Sequence, residues 1–129
     1  MSSPLRGRRI LVVEDEYAIA ESLAAALEAI GSAVVGPAPS VEKALAAIER
    51  EPHIDAAIVD INLRGVLAHA VADRLMARNI PFVFTSGYGV DILPKRYPGI
   101  KNCQKPYLIE DVEQALASAI SEASRPKPG

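Results

Sequence analysis

Five residues in the middle of the chain, Ala56-Ala57-Ile58-Val59-Asp60, decide the predicted fold, because four apolar residues lead directly into a carboxylate. A short run that is apolar at every position is typical of a strand buried on both faces of a sheet. Pro52 precedes the run and ends a helical pattern before it. The stretch therefore predicts an inner strand of a parallel sheet, with Asp60 at the carboxyl end of that strand.

Apolar runs and helical patterns alternate on both sides of this strand. Leu23, Leu27 and Ile30, for example, recur at helical spacing, whereas Gly89 and Pro94 weaken a fourth helix predicted between residues 87 and 99. Strands that alternate with helices form parallel sheets covered on both faces. We predict an α/β fold, a three-layer doubly wound parallel five-stranded sheet in the flavodoxin-like order 2-1-3-4-5. The other four predicted strands are residues 10–13, 33–35, 82–84 and 102–104.

Composition limits the classes of function. A chain of 129 residues fits one domain, and a net charge of −2 without tryptophan disfavours nucleic-acid binding. Cys103 has no partner for an intrachain disulfide, and no apolar run approaches the ~20 residues of a membrane span. We therefore expect a cytoplasmic protein without membrane contact. We also expect a domain over residues 8–123, with disordered tails, rich in Ser, Pro, Gly and basic residues, at 1–7 and 124–129.

Polar side chains follow four of the five predicted strands. Glu14 and Asp15 follow the first strand, Asp60 the third, Ser86 the fourth and Lys105 the fifth. Neighbouring parallel strands lie about 4.8 Å apart, so the carboxylates of strands 1 and 3 are expected to converge. Clustered carboxylates repel each other unless a cation or a proton is present, and Mg²⁺ prefers oxygen ligands of this kind.

This set of residues suits phosphoryl transfer. A carboxylate can attack a phosphoryl group and form an aspartyl phosphate. The transferred group spreads its charge over three equatorial oxygens, which the site has to position and neutralise. Magnesium can contact one oxygen, the ammonium of Lys105 a second, and a hydroxyl with backbone N–H groups near Ser86 the third.

The same set resembles the receiver domain of response regulators (CheY-like) over roughly residues 9–123. In that family an acidic pair follows strand 1, an aspartate strand 3, a serine or threonine strand 4 and Lys-Pro strand 5. The resemblance implies that Asp60 is the phosphoacceptor. It also implies that Glu14, Asp15, Asp60 and the backbone carbonyl of Asn62 hold Mg²⁺.

The resemblance assigns the remaining site roles as well. Ser86 is the expected switch hydroxyl, with Thr85 as its competitor, and Lys105 is the cation that binds the phosphoryl group. Residues 81–89 resemble the Phe-Ala-Thr-Gly-Tyr segment of certain stand-alone receivers, which favours Ser86. The Lys105–Pro106 peptide bond is expected to be cis, as is characteristic of receivers.

The family also implies partners. We expect a histidine kinase or a histidine phosphotransfer protein as phosphoryl donor and a downstream protein partner for output, without an output domain in this chain. The protein is expected to be a monomer or weak dimer, and to catalyse only its own phosphorylation.

Two positions depart from the receiver pattern. Arg64 stands where receivers commonly have proline, and Asn102 stands where many have the aromatic residue of the switch, a role that Tyr88 could take. These departures leave open a receiver-like binding module that works without phosphorylation. A haloacid-dehalogenase-like phosphatase is a third possibility, but Asn62 stands where such enzymes usually need a second aspartate as general acid.

Overall fold

The computed structural model describes residues 3–87 and 96–124, and these form an α/β domain around a five-stranded parallel sheet. The sheet order is β2-β1-β3-β6-β7, and every neighbouring pair is parallel. A two-stranded antiparallel hairpin, β4–β5, is inserted after β3. Without the hairpin the order is 2-1-3-4-5, which confirms the predicted fold. The strands are β1 Arg9–Val13, β2 Ala33–Ala38, β3 Ala56–Asp60, β4 Asn62–Leu63, β5 Val66–Leu67, β6 Phe82–Ser86 and β7 Asn102–Gln104.

Four helices cover the sheet in the described part of the chain. Ser40 caps the second of them, accepting a hydrogen bond from the Lys43 N–H at 3.2 Å, and such caps contribute about 1 kcal/mol. The helix predicted between residues 87 and 99 falls mostly on residues 88–95, which lie outside the described residues. The helices are α1 Tyr17–Ala29, α2 Val41–Arg50, α3 His69–Ala77 and α4 Ile109–Ala123.

The central strand β3 contributes to two separate hydrophobic clusters because its side chains alternate between the faces of the sheet. Ala57 and Val59 pack with residues of α2 and α3 on one face. Ile58 packs with residues of α1 and α4 on the other face. Burying each large aliphatic side chain contributes about 1.5–3 kcal/mol, so both faces stabilise the position of Asp60 at the end of this strand.

The N-terminal segment packs against the domain. Leu5 is fully buried in the cluster formed with α1 and α4. The Ser32 hydroxyl donates to the Leu5 carbonyl at 2.7 Å, and the Gly7 N–H donates to the Gly31 carbonyl at 2.9 Å. The described part of the predicted N-terminal tail, residues 3–7, therefore extends the folded unit. Of the predicted C-terminal tail, residues 125–129 lie outside the described residues.

A helix that crosses a membrane needs about 20 predominantly apolar residues. None of the helices in residues 3–87 and 96–124 has both the length and the apolar composition to cross a membrane.

Candidate functional site

Three carboxylates converge at the carboxyl edge of the sheet, as the sequence predicted. The parallel register pairs Val13 of β1 with Val59 of β3, so the residues that follow them emerge side by side. Glu14, Asp15 and Asp60 each offer a carboxylate oxygen within 4.8 Å of the others. Glu14 and Asp60 are buried, whereas Asp15 lies nearer the surface. Oxygen ligands at this spacing suit a single divalent cation.

The ammonium of Lys105 lies between two of these carboxylates. Its Nζ is 2.8 Å from Glu14 Oε1 and 2.9 Å from Asp60 Oδ2. The backbone holds Lys105 in place, because its N–H donates to the Ser86 carbonyl at 2.7 Å. The peptide bond between Lys105 and Pro106 is cis, as predicted. Lys105 therefore meets Asp60 across 45 residues of sequence through the pairing of β6 with β7.

Burial and charge change the acidity of this site. Burial, with a smaller contribution from the nearby Asp60 carboxylate, raises the pKa of Glu14 to about 7, although Lys105 and the Glu16 N–H act to lower it. Burial acts to lower the pKa of Lys105, but hydrogen bonds to Glu14 and Asp60 outweigh it and hold that pKa above its usual value. Lys105 is thus a permanent cation. A divalent cation beside Glu14 would favour the ionised form of the Glu14 carboxyl group.

The loop after β3 contacts the carboxylate of Asp60 directly. The Asn62 N–H donates to Asp60 Oδ1 at 3.1 Å, and the Asn62 side chain accepts the Gly65 N–H at 2.6 Å. Arg64 and Gly65 form the hairpin turn with positive φ angles of 54° and 86°. At the tip, Arg64 Nε lies 3.8 Å from Asp15 Oδ2. Sequence reasoning missed this hairpin, although an Asn followed three residues later by Gly is a turn signal.

The two residues that carry the candidate hydroxyl groups are both buried at the end of β6, the strand that pairs with β3. The register pairs Asp60 with Thr85, and Ser86 pairs with Gln104 one step nearer the carboxyl edge. The exposed fractions are 2% for Thr85 and 1% for Ser86. The Thr85 carbonyl accepts the Ile61 N–H at 2.9 Å, which ties β6 to the loop after Asp60. The predicted roles of the two side chains remain predictions.

Solved structures with the same fold were found, although no protein-family model and no curated protein sequence matches the chain. A response regulator receiver protein from Sinorhizobium medicae WSM419 superposes with a TM-score of 0.81 at 21% identity, over 93% of this chain and 99% of that chain. SdrG from Sphingomonas melonis Fr1 is 40% identical with a TM-score of 0.76, over 89% of this chain and 97% of that chain. The response regulator PhyR from Brucella abortus is 26% identical with a TM-score of 0.75, over 94% of this chain and 52% of that chain.

The chain is a response-regulator receiver domain. Its acidic cluster fits the magnesium ion that receivers bind, because three oxygen donors lie together and one ammonium compensates only part of their charge.

The receiver lacks the usual aromatic residue in β7. Asn102 occupies that position and is exposed, and Tyr88, the predicted substitute, lies outside the described residues. Tyr97 is 4% exposed, and its ring centroid lies 5.7 Å from that of Phe84. Its hydroxyl donates to Asp73 Oδ1 of α3 at 2.5 Å. Tyr97 is therefore a buried anchor for the segment that precedes β7.

Proposed function

We propose that this receiver is a single-domain response regulator that accepts a phosphoryl group on Asp60 from a histidine kinase or a histidine phosphotransfer protein. The observation that carries the proposal is the contact of Lys105 Nζ with both Glu14 and Asp60, beside the third carboxylate of Asp15. One ammonium among three acidic groups leaves room for a divalent cation and provides a positive partner for a phosphoryl oxygen.

Each residue of the site has a defined part in the proposed reaction. A carboxylate oxygen of Asp60 attacks phosphorus, a new O–P bond forms, and the N–P bond to the donor histidine breaks. Lys105, already within 2.9 Å of Asp60, neutralises the charge that arrives with the phosphoryl group. Ser86, buried at the end of β6, supplies the hydroxyl that responds to phosphorylation.

A magnesium ion completes the proposed site. Glu14, Asp15, Asp60 and the backbone carbonyl of Asn62 are the proposed ligands. Bound there, Mg²⁺ would offset the mutual repulsion of the carboxylates and neutralise charge on the phosphoryl oxygens. The contact between the Asn62 N–H and Asp60 Oδ1 keeps the Asn62 backbone beside the acceptor, which supports the choice of this carbonyl.

Output in this proposal occurs by protein–protein contact. The similarity to SdrG covers 97% of that chain, which supports a signalling unit of the size of one receiver domain. Its proposed setting is the cytoplasm, as monomer or weak dimer, with a downstream protein as partner and no nucleic acid or membrane. It would act on no independent substrate. The side chain of Asn62, which closes the hairpin by accepting the Gly65 N–H, does not offer the general acid that a phosphatase of the haloacid-dehalogenase type needs.

Direct labelling tests the proposal. The protein is incubated with acetyl phosphate and Mg²⁺ and its intact mass is measured. We expect one added phosphoryl group in the wild type and in Asp111→Asn, a control that changes an exposed aspartate of α4, and none in Asp60→Asn. Loss of labelling when Mg²⁺ is chelated would support the metal assignment. Equal labelling of Asp60→Asn and wild type would contradict the proposal.

A second candidate function is a receiver-like binding module that works without phosphorylation. The exposed Asn102 in place of a switch aromatic favours it, because the usual partner of the hydroxyl switch is missing from β7. The two functions differ in the affinity of a partner protein for the phosphorylated and unphosphorylated forms. A constitutive module predicts equal affinities, whereas a regulator predicts different ones.

A further inference from the structure

We propose that Arg64 is a tethered counter-ion of Asp15 that opposes the binding of a divalent cation, so that cation binding and the ion pair exclude each other. This inference rests on the proposed function and concerns the regulation of the same site. It assigns a role to the residue that replaces the proline common in receivers.

The ion pair lies at the rim of the acidic cluster. Arg64 Nε is 3.8 Å from Asp15 Oδ2, the side chain of Asp15 is 12% exposed, and that of Arg64 is 81% exposed. Asp15 thus has its carboxylate in the cluster, whereas the guanidinium approaches it from solvent. A divalent cation that binds Asp15 would meet the like charge of this guanidinium at short range.

The hairpin fixes where Arg64 stands. The turn residues Arg64 and Gly65 both have left-handed backbone angles, as a two-residue hairpin turn of this type requires. The Asn62 side chain closes the turn by accepting the Gly65 N–H at 2.6 Å, and Leu63 is buried in the core. Asn62 pairs with Leu67 and Leu63 with Val66, so both arms of the hairpin are defined. The hairpin therefore holds the backbone of Arg64 where its guanidinium can reach Asp15.

The hairpin contacts two of the three carboxylates of the site. The Asn62 N–H binds Asp60 Oδ1 at one end, and Arg64 reaches Asp15 at the other. Among the described residues, Lys105 and Arg64 are the cations that contact the three-carboxylate cluster. The Lys105 side chain is only 15% exposed and contacts two carboxylates, so the far more exposed Arg64 is the cation that can leave when a divalent cation arrives.

The expected effect is modest, because the Arg64 guanidinium is exposed to solvent and lies 3.8 Å from Asp15 Oδ2. Exposed ion pairs change an equilibrium by about 1.4- to 5-fold, and the change falls as salt is added. We therefore expect removal of the Arg64 charge to tighten Mg²⁺ binding by about two- to fivefold at low ionic strength. The difference should shrink in ~1 M monovalent salt, where the Debye length is about 3 Å.

The test measures Mg²⁺ affinity by calorimetric titration of the full chain without a phosphoryl donor. Arg64→Gln removes the charge and keeps much of the side-chain length. Arg50→Gln is the matched control. Arg50, the last residue of α2, is another exposed arginine in a loose ion pair, with its Nε 3.9 Å from Glu51 Oε1. Arg64→Gln should bind Mg²⁺ more tightly than the wild type, and Arg50→Gln should bind it like the wild type.

Nuclear magnetic resonance supplies a second measurement that does not depend on the variant folding normally. In the wild type, the Arg64 Nε–H signal should shift as Mg²⁺ is added and saturate together with the calorimetric curve. An unchanged Nε–H signal, or equal Mg²⁺ affinity in Arg64→Gln and wild type, would overturn the inference while leaving the receiver function intact. If the wild type binds no Mg²⁺ and takes no phosphoryl group on Asp60, the proposed function fails instead.

Discussion

At the scale of single residues, Lys105 has a structural role in addition to its proposed chemical role. Its ammonium contacts Glu14 and Asp60, whose side chains are almost completely buried. Two buried carboxylates so close together repel each other, and in the absence of a divalent cation Lys105 is their direct compensating contact. Lys105 would therefore stabilise the unphosphorylated protein and bind the phosphoryl group of the phosphorylated protein.

This role predicts a loss of stability in Lys105→Met without divalent cations. Removing one partner of a buried ion pair costs about 3–5 kcal/mol, and the slight exposure of Lys105 places our expectation near the lower value. The double variant Lys105→Met/Asp60→Asn should recover part of the loss, because one of the two buried charges is gone. Urea unfolding followed by circular dichroism measures both. A single variant as stable as the wild type would contradict this account.

At the scale of elements, Tyr97 connects the segment before β7 to α3. Its ring packs on Phe84 of β6, and its hydroxyl bonds to Asp73 Oδ1 and, more weakly at 3.3 Å, to the His69 carbonyl. Burial and the hydrogen bond to Asp73 together raise the pKa of Tyr97 to about 12, so the phenol stays protonated and can donate. One side chain thus joins a strand, a helix and the segment between them.

We expect Tyr97→Phe to lower the free energy of unfolding by about 0.5–1.5 kcal/mol, the range for an ordinary hydrogen bond, because Asp73 is 52% exposed and water screens its charge. The packing on Phe84 remains in this variant, which isolates the hydroxyl. Tyr17→Phe is the control, because Tyr17 is exposed at the start of α1 and should change stability by less than about 0.5 kcal/mol. Chemical denaturation with unchanged m-values gives the comparison. Equal stability of the two variants would refute the anchoring role.

The elements differ in how far the sequence could predict them. The apolar run that ends at Asp60 and the 3.6-residue periodicity of the helices predicted the sheet and its order, because these patterns depend on local burial. Each arm of the hairpin from Asn62 to Leu67 has only two strand residues, too few to show an alternating pattern. The burial of Leu5 and the contact of Tyr97 with Asp73 depend on distant segments, which no local pattern encodes.

The site was predicted to a similar degree. Convergence of Glu14, Asp15 and Asp60 follows from strand ends in a parallel sheet, so the sequence was sufficient for it. The approach of Arg64 to Asp15 was not predicted, because it depends on the left-handed turn at Arg64 and Gly65, which brings the Arg64 side chain near Asp15.

On the scale of the whole molecule, the two edges of the sheet differ in how their charges are compensated. At the carboxyl edge three carboxylates meet one buried ammonium and one exposed guanidinium. At the amino edge, Asp55 accepts the Arg9 N–H and a contact from His53 Nε2, both at 2.8 Å, and lies 3.9 Å from Arg8. Arg9 also pairs with Glu51 at 2.9 Å. The amino edge is thus closed by compensated pairs, whereas the carboxyl edge retains negative charge for a cation.

This difference predicts that Asp55 contributes to stability in a pH-dependent way that Asp55→Asn removes. Burial acts to raise the pKa of Asp55, but the Arg9 N–H, His53 and Arg8 outweigh it and lower that pKa below its usual value. A carboxyl group with a lowered pKa stabilises the folded state above its unfolded pKa, about 3.9, and loses this contribution as the pH falls through the folded value.

Asp55→Asn should therefore be less stable than the wild type by about 1 kcal/mol at pH 7, and the gap should close below about pH 4. Urea unfolding of both proteins from pH 7 to pH 3 measures the difference, which isolates Asp55 from the acidic groups at the other edge. A gap that stays constant over this range would show that the carboxylate charge of Asp55 does not hold β1 and β3 together at their amino ends.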